Sequence, residues 1–237
     1  ILALLNFDSE PSEQAIQSVI AGCDWLLKLQ NNDGGFPTFS RGWGKLPFDQ
    51  SCADLTGHAV VAIASTIEKL GREVAPAKLK RYKSSIQKAI RYLKKEQKTD
   101  GTWLPLWFGN QFHPKQHNPV YGTARVTAYL TDTQNCEWVP ASLKVLLKEM
   151  TGNAQTYLIS AQNSDGSWGG DVGLSGTIEE TALAISALAN NLEAKPQCEH
   201  GLHWLEQQEI PLKAAPIGLY FASLWYSEKL YPQVMYL

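Results

Sequence analysis

The sequence predicts an all-α chain built of helical hairpins, an α/α toroid with amphipathic helices outside and apolar helices inside. Three observations predict it. First, a glutamine–glycine–aromatic turn recurs three times: Gln30/Gly34/Phe36 in "QNNDGGF", Gln97/Gly101/Trp103 in "QKTDGTW" and Gln162/Gly166/Trp168 in "QNSDGSW". Second, each turn closes one helical pattern and leads to another, so the turn is part of a long repeat. Third, β-branched residues nowhere alternate with polar ones over a useful length, so strand signals are nearly absent.

Ile1–Phe7 reads as part of a helix. In "AIQSVIAGCDWLLKLQ" the apolar Ile16, Val19, Ile20, Cys23, Leu26 and Leu27 follow a 3.6-residue period, predicting an amphipathic helix over 13–30. The run "AVVAIASTI" within 54–70 is apolar nearly all round and predicts a helix buried on most faces. "IQKAIRYLKKEQ" returns to the amphipathic pattern within 79–97, its Lys and Arg facing water. Helices over 121–132, 139–162, 177–192 and 197–209 continue the series. The last, over 216–230, carries Tyr220, Phe221, Leu224 and Trp225 at helical spacing. The repeats also share a register. An aromatic stands five residues before each Gln (Trp25, Tyr92, Tyr157), and the apolar helices align on Thr56, Thr123 and Thr181.

The connections from Phe36 to Ala53 and from Leu104 to Val120 are long, and Pro114 and Pro119 interrupt any helix in the second. The passage from Trp168 to Thr177 is short and glycine-rich. Long loops without structure of their own in a compact domain are usually functional. The end of the ring that carries them is the expected mouth.

Composition narrows the classes. A net charge of −2 gives no electrostatic footprint for nucleic acid. Hydrophobic residues at 44%, with eight Trp, suffice for a large core and a lined cavity. Cys23, Cys52, Cys136 and Cys198 lie too far apart for a zinc ribbon or a disulfide framework, so a reducing cytoplasm is expected. No apolar run reaches 18 residues, and "ILALLNF" is not a signal peptide.

On these residues the chain resembles the squalene-hopene and oxidosqualene cyclases. Their QW motif matches all three turns, and "WLLKLQNNDGGF", "YLKKEQKTDGTW", "YGTARV" and "YSEKLYPQVMYL" occur in the order of the carboxy-terminal toroid. The resemblance implies one toroid domain over 1–237, the carboxy-terminal part of a longer triterpene cyclase and incomplete by one or two hairpins. The activity it implies is isomerisation of a linear polyprene to a polycycle by protonation and a carbocation cascade, with no metal and no cofactor. The acid of such enzymes comes from an Asp-rich DxDD motif that this sequence lacks. By alignment it would precede Ile1, and the isolated chain is expected to be inactive.

"DLTGH" resembles the family segment in which an Asp and a His assist that acid, which by position are Asp54 and His58. Their spacing of four puts them on one helix face. Asp54 equally suits an N-cap, and His58 equally suits a hydrogen-bonded histidine of an apolar helix. Trp107 and Tyr121 match positions that offer aromatic faces to the cavity, although "QFHPKQHNP" between them looks like an insertion. Cys52, Tyr220 and Trp225 complete the expected cavity set. The partners implied are an apolar isoprenoid such as squalene and the amino-terminal part of the same protein. Self-association as a dimer and peripheral contact with the inner membrane face are further expectations.

Two other classes share the toroid. One is a non-catalytic binding module. The other is a zinc-dependent prenyltransferase-like subunit, for which Asp49, Cys52, Asp54 and His58 offer ligand types without that family's ligand spacing. His113 and His117 at i and i+4 are undermined as helical ligands by the flanking prolines, and a mobile loop is expected there.

Overall fold

The computed structural model describes residues 1–7, 11–38, 49–219 and 224–236. Nine α-helices lie among them: α1 (Leu2–Phe7), α2 (Glu13–Leu29), α3 (Ala53–Leu70), α4 (Pro76–Glu96), α5 (Pro119–Asn135), α6 (Ala141–Ser160), α7 (Ile178–Leu188), α8 (Lys195–Glu206) and α9 (Tyr231–Tyr236). The chain is all-α, of the helical-hairpin class from which α/α toroids are built. It divides into two compact units. Residues 1–96 and 129–149 form one; residues 97–128 and 150–237 form the other.

In the first unit, α4 buries one stripe, Tyr82, Ser85, Ile86, Ala89, Ile90, Tyr92 and Leu93, and carries most of its Lys and Arg elsewhere on its surface. Its partner α3 is buried nearly all round, including every residue from Ala59 to Ala64. Small side chains there let neighbouring helices approach on several faces. Helix α1 sets Leu5 against Val19 and Leu70, and Lys69 Nζ donates to its Leu5 carbonyl at 3.0 Å. In the second unit α7 is the buried apolar helix, and Thr177 caps it. Its Leu183, Ala184, Ala187 and Leu188 join a core with Tyr121, Tyr157, Leu158 and Trp168.

The three turns are nearly the same structure. Each Gln amide donates twice. Gln30 Nε2 reaches Gly34 O at 2.8 Å and Ser85 O at 2.9 Å. Gln97 reaches Gly101 O at 3.1 Å and Met150 O at 2.8 Å. Gln162 reaches Gly166 O at 2.9 Å and Gln197 O at 2.8 Å. The first bond of each pair closes the turn, and the second ties it to the next amphipathic helix. The glycines hold φ of 95°, 89° and 96°. That left-handed region strains residues with a Cβ. A Cβ on Gly34 would also stand 2.5 Å from Lys88 O, and one on Gly166 2.6 Å from His200 O. The aspartate before each glycine accepts from the backbone two residues on: Gly35, Thr102 and Ser167 at 2.9, 3.0 and 3.0 Å.

The threonine register is present as well. The backbone N–H groups of Phe36, Trp103 and Trp168 donate to Oγ1 of Thr56, Thr123 and Thr181 at 2.9, 3.0 and 2.9 Å. Each turn is thereby fastened to the first turns of the apolar helix that follows it.

One element differs from expectation. Residues expected to form a helix over 216–230 instead form β3 (Pro216–Leu219) and β4 (Leu224–Ser227), paired antiparallel with Gly218 opposite Trp225. A short, nearly continuous apolar run fits a strand as well as a helix. Gly218 at its centre favours the strand, because a Cβ there would strike Leu224 O across the pair. The expected spacing of Leu224 and Trp225 on one helix face therefore does not occur. Tyr220 and Phe221 lie outside the described residues, as does most of the loop "PTFSRGWGKLPFDQSCAD".

Candidate functional site

The strongest candidates of the first unit sit where a two-residue ladder feeds a helix. β1 (Phe36–Pro37) pairs antiparallel with β2 (Ser51–Cys52), with Phe36 opposite Cys52. This holds Cys52 extended, so α3 starts at Ala53 with Cys52 as N-cap. Asp54 is thus not the N-cap. It lies inside the first turn, where a carboxylate favourably meets the helix dipole. It is buried, and Cys52 Sγ donates to its Oδ1. Thr56 Oγ1 donates to Cys52 O at 2.6 Å, which pins the turn from within.

One turn on, His58 is exposed on a cavity of about 380 Å³. The other walls come from Ile1 and Leu2, from Gly22, Trp25, Leu26 and Leu29 of α2, from Phe36 to Thr38, and from Leu55, Ala59 and Ala62 of α3. Among the described residues of this lining, His58 is the titratable side chain and Thr38 carries a hydroxyl. Trp25, half exposed at 56%, departs from its repeat partners Tyr92 and Tyr157, which are buried. Tyr92 is spent on structure: its hydroxyl donates to Ser51 O at 2.9 Å, and burial pushes its ionisation well above the ordinary phenol range.

The candidates of the second unit are placed differently. Trp107 is half-buried. Tyr121 is buried in the core, its ring stacked on Phe108 at 4.5 Å and 28°. Its backbone N–H donates to Asn118 Oδ1 at 3.0 Å, and Asn118 Nδ2 donates to Glu180 Oε1 at 2.7 Å. Trp225 is half-buried in β4.

Two features here were not read from the sequence. Glu179 stands two residues before Thr181, as Asp54 and Tyr121 stand two before Thr56 and Thr123. It is only 3% exposed. One oxygen accepts from Ala215 N at 2.9 Å and the other has no hydrogen-bond partner among the described residues. Burial pushes its carboxyl above the usual range, and the neighbouring Glu180 adds to this. The shared threonine register is the signal that could have found it.

The second feature is in the loop "QFHPKQHNP". His113 Nδ1 accepts from the N–H groups of Lys115 and His117 at 3.0 and 3.3 Å. The ring proton therefore sits on Nε2, which donates to Asp171 Oδ2 at 3.1 Å. The Tyr157 hydroxyl donates to Asp171 Oδ1 at 2.8 Å. His117 stacks 5.5 Å from His113, and burial above all lowers its proton affinity. The loop expected to be mobile is thus held to the loop after Trp168, which Val120 N also reaches through Gly170 O at 3.1 Å.

Among the described residues, no three His, Cys, Asp or Glu side chains converge as metal ligands, so Asp49, Cys52, Asp54 and His58 do not assemble the zinc site of the prenyltransferase alternative. No described helix is long and apolar enough to cross a membrane. The four cysteines are all free thiols.

Residues 1–210 match the squalene-hopene cyclase C-terminal domain family. The chain belongs to that family. Among its relatives, enfumafungin synthase from Hormonema carpetanum is 28% identical over 248 residues, covering 95% of this chain and 17% of the synthase. A terpene cyclase–glycosyl transferase fusion protein from Humicola fuscoatra is 29% identical over 240 residues, covering 89% of this chain and 16% of that protein. Squalene–hopene cyclase from Zymomonas mobilis is 25% identical over 217 residues, covering 81% of this chain and 29% of that enzyme. The chain therefore spans about a sixth to under a third of these relatives.

Proposed function

We propose that this chain is the carboxy-terminal part of a triterpene cyclase that folds a linear polyprene such as squalene into a polycycle by acid-initiated carbocation chemistry. The observation that carries the reading is the pairing of family membership with the setting of His58. Among the described residues it is the one titratable side chain in a largely apolar cavity wall, one turn from a buried aspartate. A wall of that kind suits a hydrocarbon, and a single imidazole in it suits contact with one polar partner.

In this reading the strong acid comes from the amino-terminal part of the same protein. His58 donates a hydrogen bond to one carboxyl oxygen, which favours release of the proton held on the other. Asp54, on the same helix face, steadies the imidazole. Neither residue transfers the first proton. Trp107 and Tyr121 present aromatic faces to later cations, each desolvated ring contributing about 2 kcal/mol.

The test uses the full-length protein that carries this chain, assayed with squalene by product analysis. His58→Ala should slow cyclisation by roughly 10²–10⁴, the usual range for losing acid–base assistance, with the helical signal unchanged. Tyr121→Ala should shift the product mixture. Undiminished turnover by His58→Ala would refute the assignment. The chain expressed alone should yield no cyclic product.

A further inference from the structure

Helix α4 concentrates charge that the composition conceals. The chain as a whole carries −2, yet α4 alone holds eight of its 21 Lys and Arg, and Glu96 is the helix's only acid. Three of the eight are engaged: Lys78 with Asp24 at 2.6 Å, Lys94 with Glu149 at 2.7 Å, and Lys83 over the Trp138 ring at 5.5 Å. The other five, Lys80, Arg81, Lys88, Arg91 and Lys95, are all exposed, and none makes an ion pair among the described residues. Asp24, whose charge Arg81 also feels, spends its oxygens on Lys78 and the Tyr82 hydroxyl.

Helical geometry turns these five into a stripe. At 3.6 residues per turn they fall within about 100° of the helix circumference, facing away from the buried stripe of α4. Lys80 and Lys95 stand about 22 Å apart along the axis, at 1.5 Å per residue. At the amino-terminal end Lys80, Arg81, Ser84 and Lys88 converge on a groove of about 360 Å³, completed by Ser85 and by Leu27 and Gln30 of the first hairpin.

The stripe also selects by what it lacks. The exposed uncharged side chains between Lys80 and Lys95 are Ser84 and Gln87, with no aromatic or aliphatic one among them. A protein partner is ordinarily anchored by aromatic side chains in pockets, and a single nucleic-acid strand by bases stacked on aromatic rings. A row of cations on one straight helix face suits a plane of anionic headgroups, for which about four to eight Lys or Arg on a helix is the recognisable pattern.

We propose that the α4 stripe is a docking surface for an anionic lipid membrane, its cations meeting phosphate headgroups. The purpose of that contact rests on the polyprene reading, because a hydrocarbon substrate dissolves in the bilayer and not in water.

The chain itself serves for the test, by co-sedimentation with vesicles of phosphatidylcholine alone or with about one-third phosphatidylglycerol. Wild type should bind only the anionic vesicles and should be released as salt is raised, because screening shortens the reach of exposed charges. Each cation near an anionic surface is worth roughly a fivefold factor, so the triple variant Lys80→Gln, Lys88→Gln, Arg91→Gln should lose roughly 10²-fold in partitioning. The control Lys195→Gln, Lys213→Gln, Lys229→Gln changes net charge equally on other elements and should bind as wild type does. All six positions are exposed, so both variants should keep the helical signal. No wild-type binding to anionic vesicles, equal binding to neutral ones, an unimpaired stripe variant or an equal loss in the control would each overturn the proposal. So would binding to a DNA duplex without binding to anionic vesicles, which would make the stripe a nucleic-acid contact. None of these outcomes involves turnover, so a full-length protein that leaves squalene unconverted would sink the cyclase reading and leave the stripe to the vesicles. In an active full-length protein, the stripe variant should raise KM for squalene carried in anionic vesicles and leave turnover of detergent-solubilised squalene unchanged. An equal loss in detergent would count against membrane docking.

Discussion

Replacing Gln162 by alanine removes one amide and two hydrogen bonds. Nε2 of Gln162 donates to Gly166 O at 2.9 Å, closing its own turn, and to Gln197 O at 2.8 Å, on the next helix. In the variant both carbonyls lose that donor in a half-buried setting. A neutral hydrogen bond contributes about 0.5–1.5 kcal/mol net, so the pair is worth about 1–3 kcal/mol. For a chain of this size each kcal/mol moves Tm by roughly 2–4 °C, which puts the expected fall near roughly 4–8 °C for a loss of about 2 kcal/mol. Thermal unfolding followed by circular dichroism at 222 nm reads it directly. Gln162→Glu sharpens the test. At neutral pH an ionised carboxylate would face two carbonyl oxygens, so this variant should be less stable than the alanine. The same ordering should hold at Gln97, whose bonds to Gly101 O and Met150 O repeat the pattern. An alanine variant within about 0.3 kcal/mol of wild type at both sites, inside ordinary surface-substitution scatter, would refute the view that these amides fasten the repeats together.

Gly101→Ala should cost more than about 2 kcal/mol, because φ is 89° and the new Cβ would strike Asn153 O; denaturant unfolding measures it. Thr181→Val, which leaves the buried Trp168 N–H without its acceptor, should cost about 1–3 kcal/mol in the same assay. Glu179 sets a pH dependence. Its proton is held more tightly in the folded chain, so its stabilising contribution is complete below the ordinary carboxyl pKa of 4.5 and is lost as pH rises through the higher folded value. Glu179→Gln should flatten that decline between pH 4.5 and 8, and an unchanged slope would show that folding does not raise the proton affinity of Glu179.

The turns were legible because backbone geometry demands their residues. Only glycine suits a φ near 90° beside a neighbouring carbonyl, and a single amide reaches two carbonyls at once. The threonine register was legible for the same reason, since each hydroxyl serves one fixed backbone N–H. Asp54 and His58 could be placed on one helix face from their spacing, but not the stack of His58 on Tyr129, which joins residues far apart in sequence. Glu179 was hidden by its neighbour: two adjacent glutamates at a helix start read as ordinary first-turn acids. The C-terminal hairpin was misread because "PIGLYFASLWYS" is apolar at almost every position, so it lacks both the helical and the strand period. Trp25 matched Tyr92 and Tyr157 by position, yet burial separates them, and sequence position carries no burial.

The central claim, that a carboxylic acid starts a carbocation cascade with this chain forming part of the pocket, is tested most directly by isotope incorporation. The full-length protein is incubated with squalene in D₂O and the product is analysed by mass spectrometry. Protonation of a terminal alkene places one deuterium on carbon, and loss of a proton at the end of the cascade leaves a cyclic isomer one mass unit heavier than the unlabelled product. A polycyclic product carrying one carbon-bound deuterium is the predicted result. Failure to consume squalene, or a cyclic product without deuterium, would contradict it.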